Sequence, residues 1–296
     1  MWTLFLVFLS AAGDPIQFEP LTSYPEKMMC NWDASRLSRD KAEILTPNTE
    51  RDFVELPVQY ACVMTQQKEF SSKGFRCHIM NWFETIDGYC ERIDASFWSE
   101  PLNAVTNVIF LMTAIWVLRR DGLNYKARAL AFILGMIGIA SFLFHSVATA
   151  WAGALDVLFI LLFTLLYIFV ATQDFLGLSR RSALGVTLGY FPFSVVVEWL
   201  TLPLSFLGST RIYIPILVLI SLYSLILNKR LPDVSKGLAV GALLLTISMF
   251  ARSVDLPLCE IIPTGTHFLW HITNAIMLAW MIEVYRRHII SRTFDF

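Results

Sequence analysis

The sequence predicts an all-α membrane protein, a seven-transmembrane helix bundle with its N-terminus outside and its C-terminus in the cytoplasm. Three observations carry that expectation. The chain is 56% hydrophobic and only 16% charged, with a mean hydropathy of +0.57, whereas a soluble domain carries about 25% charged residues. Seven apolar segments are each long enough to cross a bilayer, which takes about 20 helical residues. Lys and Arg are divided unevenly between alternate loops, the pattern that sets membrane orientation.

In chain order the spans run roughly Pro101–Leu118, Ala127–Ser146, Trp151–Thr172, Ser182–Leu200, Ile212–Leu227, Gly237–Val254 and Thr266–Tyr285. The connections are short, so consecutive helices are antiparallel neighbours. One set of loops and ends carries Arg119, Arg120, Lys126, Arg128, Arg180, Arg181, Lys229, Arg230, Lys236, Arg286, Arg287 and Arg292. Within reach of the membrane, the opposite set carries only Arg92, Arg211 and Arg252. The positive-inside rule therefore puts the C-terminus in the cytoplasm and the segment before the first helix outside. The net charge of −1 says little about partners in such a chain. The bilayer is the expected environment, and no nucleic acid is expected.

Residues 1–86 read as a separate N-terminal extension ahead of a membrane domain over 87–292. The opening "MWTLFLVFLSAAGDP" has the short apolar run and small-residue end of a signal peptide but lacks a basic start. From Asp14 to Thr85 the chain is polar and mixed, with no clear periodicity. Cys30, Cys62, Cys77 and Cys90 fall on the non-cytoplasmic side, where pairing is open to them but the connectivity is not readable.

Ionisable residues inside a membrane are functional candidates, because burying them costs kilocalories. The second span ends in "GIASFLFHS", which puts Ser141 and His145 on one helix face. The third starts "AWAGALDVLF", with Asp156 about one and a half turns below its outer end, and the seventh begins with His267 and His271. At a rise of about 1.5 Å per residue, His145 lies roughly 26 Å outward of Arg128, and His271 roughly 23 Å outward of Arg286. Ser141, His145, Asp156, His267 and His271 can therefore share one layer in the outer half of the bilayer.

Three imidazoles suit Zn²⁺, which takes nitrogen ligands and leaves a fourth position for water in catalytic sites. Asp156 is placed to act as general base, and Ser141 to donate to an oxyanion. Arg252 and Asp255, three apart, are expected to form a local ion pair. Asn103 and Asn107, four apart, are expected to tie the first span to its neighbours.

The segment "IDGYCERIDASFWSEPLNAVTN" (Ile86 to Asn107) sets Asp87, Glu91, Asp94 and Glu100 within fourteen residues. Such an acidic collar, with Gly88 to permit a turn, suits Ca²⁺, which takes 6–8 oxygens. A solvated acidic loop with Arg92 as counter-ion suits it equally.

"YCERIDASFWSEPLNAVTN", Ser141-x3-His145 with Asp156 eleven residues later, and His267-x3-His271 together resemble the alkaline ceramidase family. That family belongs to a superfamily of seven-helix membrane hydrolases with adiponectin-receptor-like and GPI-remodelling members. The resemblance covers about Asp87 to Arg287. It implies Zn²⁺ on His145, His267 and His271, with Asp156 orienting or deprotonating its water and Ser141 stabilising the oxyanion. It also implies a calcium site in the loop before the first helix, matching Glu91 and Glu100. Two departures stand out: Asp87 lies three residues before Cys90 where the family's Asp lies two before, and Arg92-Ile93 replaces an expected oxygen ligand, for which Asp94 compensates. The expected activity is hydrolysis of a ceramide-type lipid to a long-chain base and a fatty acid. A related lipid ester hydrolase and a seven-helix receptor with a structural zinc are the alternatives.

Overall fold

The computed structural model describes the backbone of residues 2–9, 15–24, 58–64 and 82–294, and side chains within 82–292 apart from residue 205. The chain divides into two units, Met1–His78 and Ile79–Phe296. In the first, β1 (Trp2–Leu9), β2 (Pro15–Tyr24) and β3 (Val58–Met64) form an antiparallel sheet in the order β2-β1-β3. Proline has no N–H for a ladder and belongs on an edge strand. β2 is such an edge, and its register against β1 shifts where Pro20 and Pro15 pair with Phe5 and Leu9. The apolar run with signal-like features forms the central strand.

The second unit is helical, as the apolar segments foretell. Its helices are α1 (Pro101–Thr106), α2 (Val108–Leu118), α3 (Tyr125–Val147), α4 (Ala150–Asp174), α5 (Arg180–Leu200), α6 (Ile214–Leu227), α7 (Pro232–Ser253) and α8 (His267–Phe294). A 3-10 segment, Ser205–Tyr213, leads into α6. Six stretches are long and apolar enough to cross a membrane: Pro101–Leu118, Tyr125–Val147, Ala150–Asp174, Arg180–Leu200, Phe206–Leu227 and Pro232–Ser253. α8 has 28 residues, ample length for a bilayer. It is not among the six, since His267, His271 and Asn274 dilute its N-terminal half.

Successive helices pack side by side, and α8 closes the ring against α7, α2 and α3. Lipid tails are as apolar as Leu, so helices in a membrane associate by close packing rather than by escape from water. Small residues provide that closeness here. A Cβ at Gly237 would meet Val284 Cγ2 at 2.6 Å, and one at Gly241 would strike Met281 Sδ, so these glycines one turn apart let α7 and α8 touch. α3 presents Leu130, Leu134 and Ile137 to the core, and α8 presents Ile282 and Tyr285.

Basic loops gather at one end of the bundle. Lys126 bridges Asp174 at 2.8 Å, Arg286 reaches the Asp121 carbonyl at 2.7 Å, and Arg230 the Leu176 carbonyl at 3.1 Å. The three histidines lie toward the other end, where α3 finishes and α8 begins. There residues 82–86 run antiparallel to the α3–α4 turn, held by Ile86 N–H to the Ala148 carbonyl (2.7 Å) and Ala150 N–H to the Glu84 carbonyl (3.0 Å).

Candidate metal centre

Two carboxylates fix the helix ends that carry the site. The first N–H groups of a helix have no partner within it. At α1 the cap comes from a distant side chain: Glu91 accepts from Leu102 N–H at 2.6 Å and Asn103 N–H at 2.8 Å. At α8 it comes from Asp255, whose Oδ1 accepts from Thr266 N–H (2.7 Å) and His267 N–H (2.8 Å), while Oδ2 accepts from Cys90 N–H (3.1 Å). The carboxylates also suit the positive end of each helix dipole. A disulfide joins Cys90 to Cys259, so the loop before α1 is tied covalently to the loop before α8. Gly265 sits at φ +64, and a Cβ there would collide with Asp255 and lie 2.7 Å from Cys90 Cβ.

These constraints deliver His145, His267 and His271 to one buried point, each 1% exposed, with ligand nitrogens all within 4.8 Å of one another. His145 and His271 face each other through their Nε2 atoms at 3.1 Å. Their outer nitrogens are engaged. Glu100 Oε2 lies 2.6 Å from His145 Nδ1, and an ionised carboxylate only accepts, so His145 carries its proton on Nδ1. Thr106 Oγ1 lies 3.0 Å from His271 Nδ1 and 2.8 Å from the Leu102 carbonyl. His145 thus presents its Nε2 lone pair to His271 Nε2, at a point where a shared ion could bind. His267 adds a buried Nδ1 with no hydrogen-bond partner. The donor set fits a metal ion, and all-imidazole ligation suits zinc.

Around this point stand the other expected residues. The Ser141 hydroxyl interacts with the Asp156 carboxyl, which also feels the charge fields of His145 and Arg252. Asp156 Oδ1 is enclosed without a hydrogen-bond partner. Beside His271 on α8, Trp270 and Asn274 open onto an apolar cavity with Tyr213 and Phe163, and a second cavity sharing Phe163, Met277 and Leu278 extends to Tyr223 and Met281.

Burial divides the acidic collar. Asp87 and Asp94 are exposed, whereas Glu91 and Glu100 are buried. Glu91 is spent on the α1 cap, where burial pushes its carboxyl up against the opposing pull of the two N–H donors. Burial also pushes Glu100 up, but His145 and Arg92 outweigh it and hold the carboxyl below the usual range. Among the described residues the three histidines form the only group of three or more His, Cys, Asp or Glu side chains with ligand atoms close enough to share an ion. Arg92 is a counter-ion as the sequence suggests, but a buried one, 4% exposed, rather than part of a solvated loop.

Two local expectations are corrected. Arg252 and Asp255 do not pair: α7 ends at Ser253, so Asp255 falls in the following turn and caps α8. Arg252 instead donates to Tyr89 Oη at 2.7 Å and lies 5.3 Å from the Tyr89 ring and 5.6 Å from the Trp270 ring. The side chains of Asn103 and Asn107 form no hydrogen bond to another helix, although the Asn103 backbone meets His271 on α8. Asn107 Nδ2 donates to the Asn103 carbonyl at 2.8 Å, Asn103 Nδ2 to Glu100 at 3.1 Å, and both side-chain oxygens are buried without partners. The pairing of Cys90 with Cys259 also lies outside the cysteines grouped by sequence; Cys30 and Cys77 lie outside the described residues, as does the side chain of Cys62.

Sequence reading missed Tyr89, Thr106 and Asp255 as parts of the site. Tyr89 stacks on His267 with ring centroids 3.9 Å apart. Nothing local marks it, since its partner lies far along the chain.

Fold and site together define a multi-pass type of helical membrane protein with a buried three-histidine group able to hold a metal ion. Compared with models of known families and with curated proteins, the chain matches none.

Proposed function

We propose that the protein is a zinc-dependent amidase working within the membrane, which hydrolyses ceramide-type lipids to a long-chain base and a fatty acid. The observation that carries this reading is the buried group of His145, His267 and His271 able to hold an ion, with Asp156 and Ser141 beside it. Zinc held by His145, His267 and His271 supplies Lewis acidity toward a carbonyl oxygen and acidifies water. Asp156 Oδ1, free of any hydrogen bond, takes a proton from the attacking water and passes it to the departing amine. Ser141 donates its hydroxyl hydrogen to the oxygen that gains negative charge. Glu100 and Thr106 hold two of the imidazoles from their Nδ1 side, so that Nε2 faces the metal position.

The substrate class rests on the likeness of the collar and histidine motifs to the alkaline ceramidases, with small apolar cavities between Trp270 and Tyr223 in the adjoining core. Orientation rests on the basic loops gathered at one end and on the Cys90–Cys259 disulfide at the other, since disulfides belong to oxidising compartments. α8 is the seventh span, and the site opens on the non-cytoplasmic side. Ceramide and a phospholipid offered to the purified protein test the reading. Release of fatty acid from ceramide supports it, and release from the phospholipid alone favours an ester hydrolase.

A further inference from the structure

The carboxylates ahead of α1 require a positive charge at their centre, and the structure supplies one from the chain. Arg92 Nε lies 2.5 Å from Glu100 Oε1, its Nη1 donates to the Asp94 carbonyl at 3.0 Å, and its Nη2 donates to the His145 carbonyl at 3.0 Å. Both partners of the ion pair are buried, Arg92 at 4% exposure and Glu100 at 2%. Three oxygens from three places converge on one planar fork: a carboxylate at the head of α1, a loop carbonyl, and a carbonyl near the end of α3. Oxygens so arranged are also what a hard divalent cation takes. The residues therefore do not fit a calcium ion, because the guanidinium already fills the space one would occupy.

We propose that Arg92 is the built-in cation of this collar, doing without calcium what a bound divalent ion would do, and that through Glu100 it positions the metal-binding imidazole of His145. The linkage is short. Arg92 holds Oε1 of Glu100 and leaves Oε2 to accept from His145 Nδ1, so one carboxylate joins the guanidinium to the ring. The same guanidinium grips the backbone of His145 itself. Ring and main chain of one ligand are thus fixed from a single residue outside the bundle. Lysine cannot reproduce this, since it offers a point charge without a planar fork.

The second half of the proposal rests on the zinc reading above, and the first half does not. The test uses full-length purified protein in calcium-free buffer, comparing wild type, Arg92→Ala and Arg92→Lys for melting temperature and zinc affinity as Ca²⁺ is added. Wild type is expected to show no response to Ca²⁺. Arg92→Ala is expected to melt lower and to bind zinc about 10–100-fold more weakly, the usual effect of losing support behind a metal ligand. Ca²⁺ should restore part of both, because it can enter among the three oxygens just vacated; a loss of packing alone would gain no such response. Arg92→Lys is expected to fall between the two in zinc affinity and to stay insensitive to Ca²⁺, which keeps the comparison readable if the alanine variant fails to fold. A wild-type melting temperature that climbs with Ca²⁺ would overturn the proposal, as would wild-type zinc affinity in either variant. Wild-type protein that holds no zinc would remove the zinc reading yet leave the calcium comparison intact.

Discussion

His145 and His271, on helices separated by more than a hundred residues of chain, face each other through Nε2 at 3.1 Å. Glu100 and Thr106 engage their Nδ1 atoms, and His267 completes a donor set able to hold an ion. His267→Ala or His271→Ala is expected to abolish stoichiometric zinc while the helical content persists. Metal analysis of the purified variants checks this, and undiminished zinc in the double variant would remove the site.

Asp156→Asn keeps the size of the side chain but removes the base. Turnover is expected to fall by about 10²–10⁴ with zinc still bound. Ser141→Ala is expected to cost no more than about 10²–10³, the loss of one oxyanion donor. Parallel assays of rate and metal content separate these effects from loss of zinc, and a near-normal rate for Asp156→Asn would assign the proton transfer elsewhere.

Thr106 is a second support for the site. Thr106→Val preserves shape but removes the hydroxyl that holds His271 Nδ1. Zinc affinity is expected to drop about 10–100-fold, as for other groups that orient a metal-binding histidine. Competition against a zinc-sensitive dye measures it, and unchanged affinity would show that packing alone orients the ring.

The helices and the histidine layer were legible in the sequence because both depend on local arithmetic: apolar length, and one turn per 3.6 residues. His145 and His271 could be placed at a common depth from the basic residues at the far ends of their own helices. Contacts between distant segments could not be read that way. Arg252 and Asp255 look like an ion pair only if α7 continues past Ser253; it stops there, and their side chains diverge to Tyr89 and to the α8 N-terminus. Acidic density between Asp87 and Glu100 suggested a shared ion, but burial sorts those residues into a cap, an imidazole partner and two exposed groups.

Cys90 and Cys259, 169 positions apart, clamp the two loops that carry the helix caps. Cys259→Ser is expected to destabilise the protein by about 2–5 kcal/mol, read as a lower melting temperature. Reductant should lower the melting temperature of the wild type and leave that of the variant unchanged. An equal response of both proteins would place the sensitive disulfide elsewhere.

Zinc content measured on the same preparation as ceramide turnover tests the central claim most directly. The account predicts zinc equimolar with protein, hydrolysis of ceramide to free base and fatty acid, loss of both on chelation, and recovery of both on adding zinc back. Full ceramide hydrolysis by metal-free protein, or zinc-replete protein that leaves ceramide intact, would contradict it.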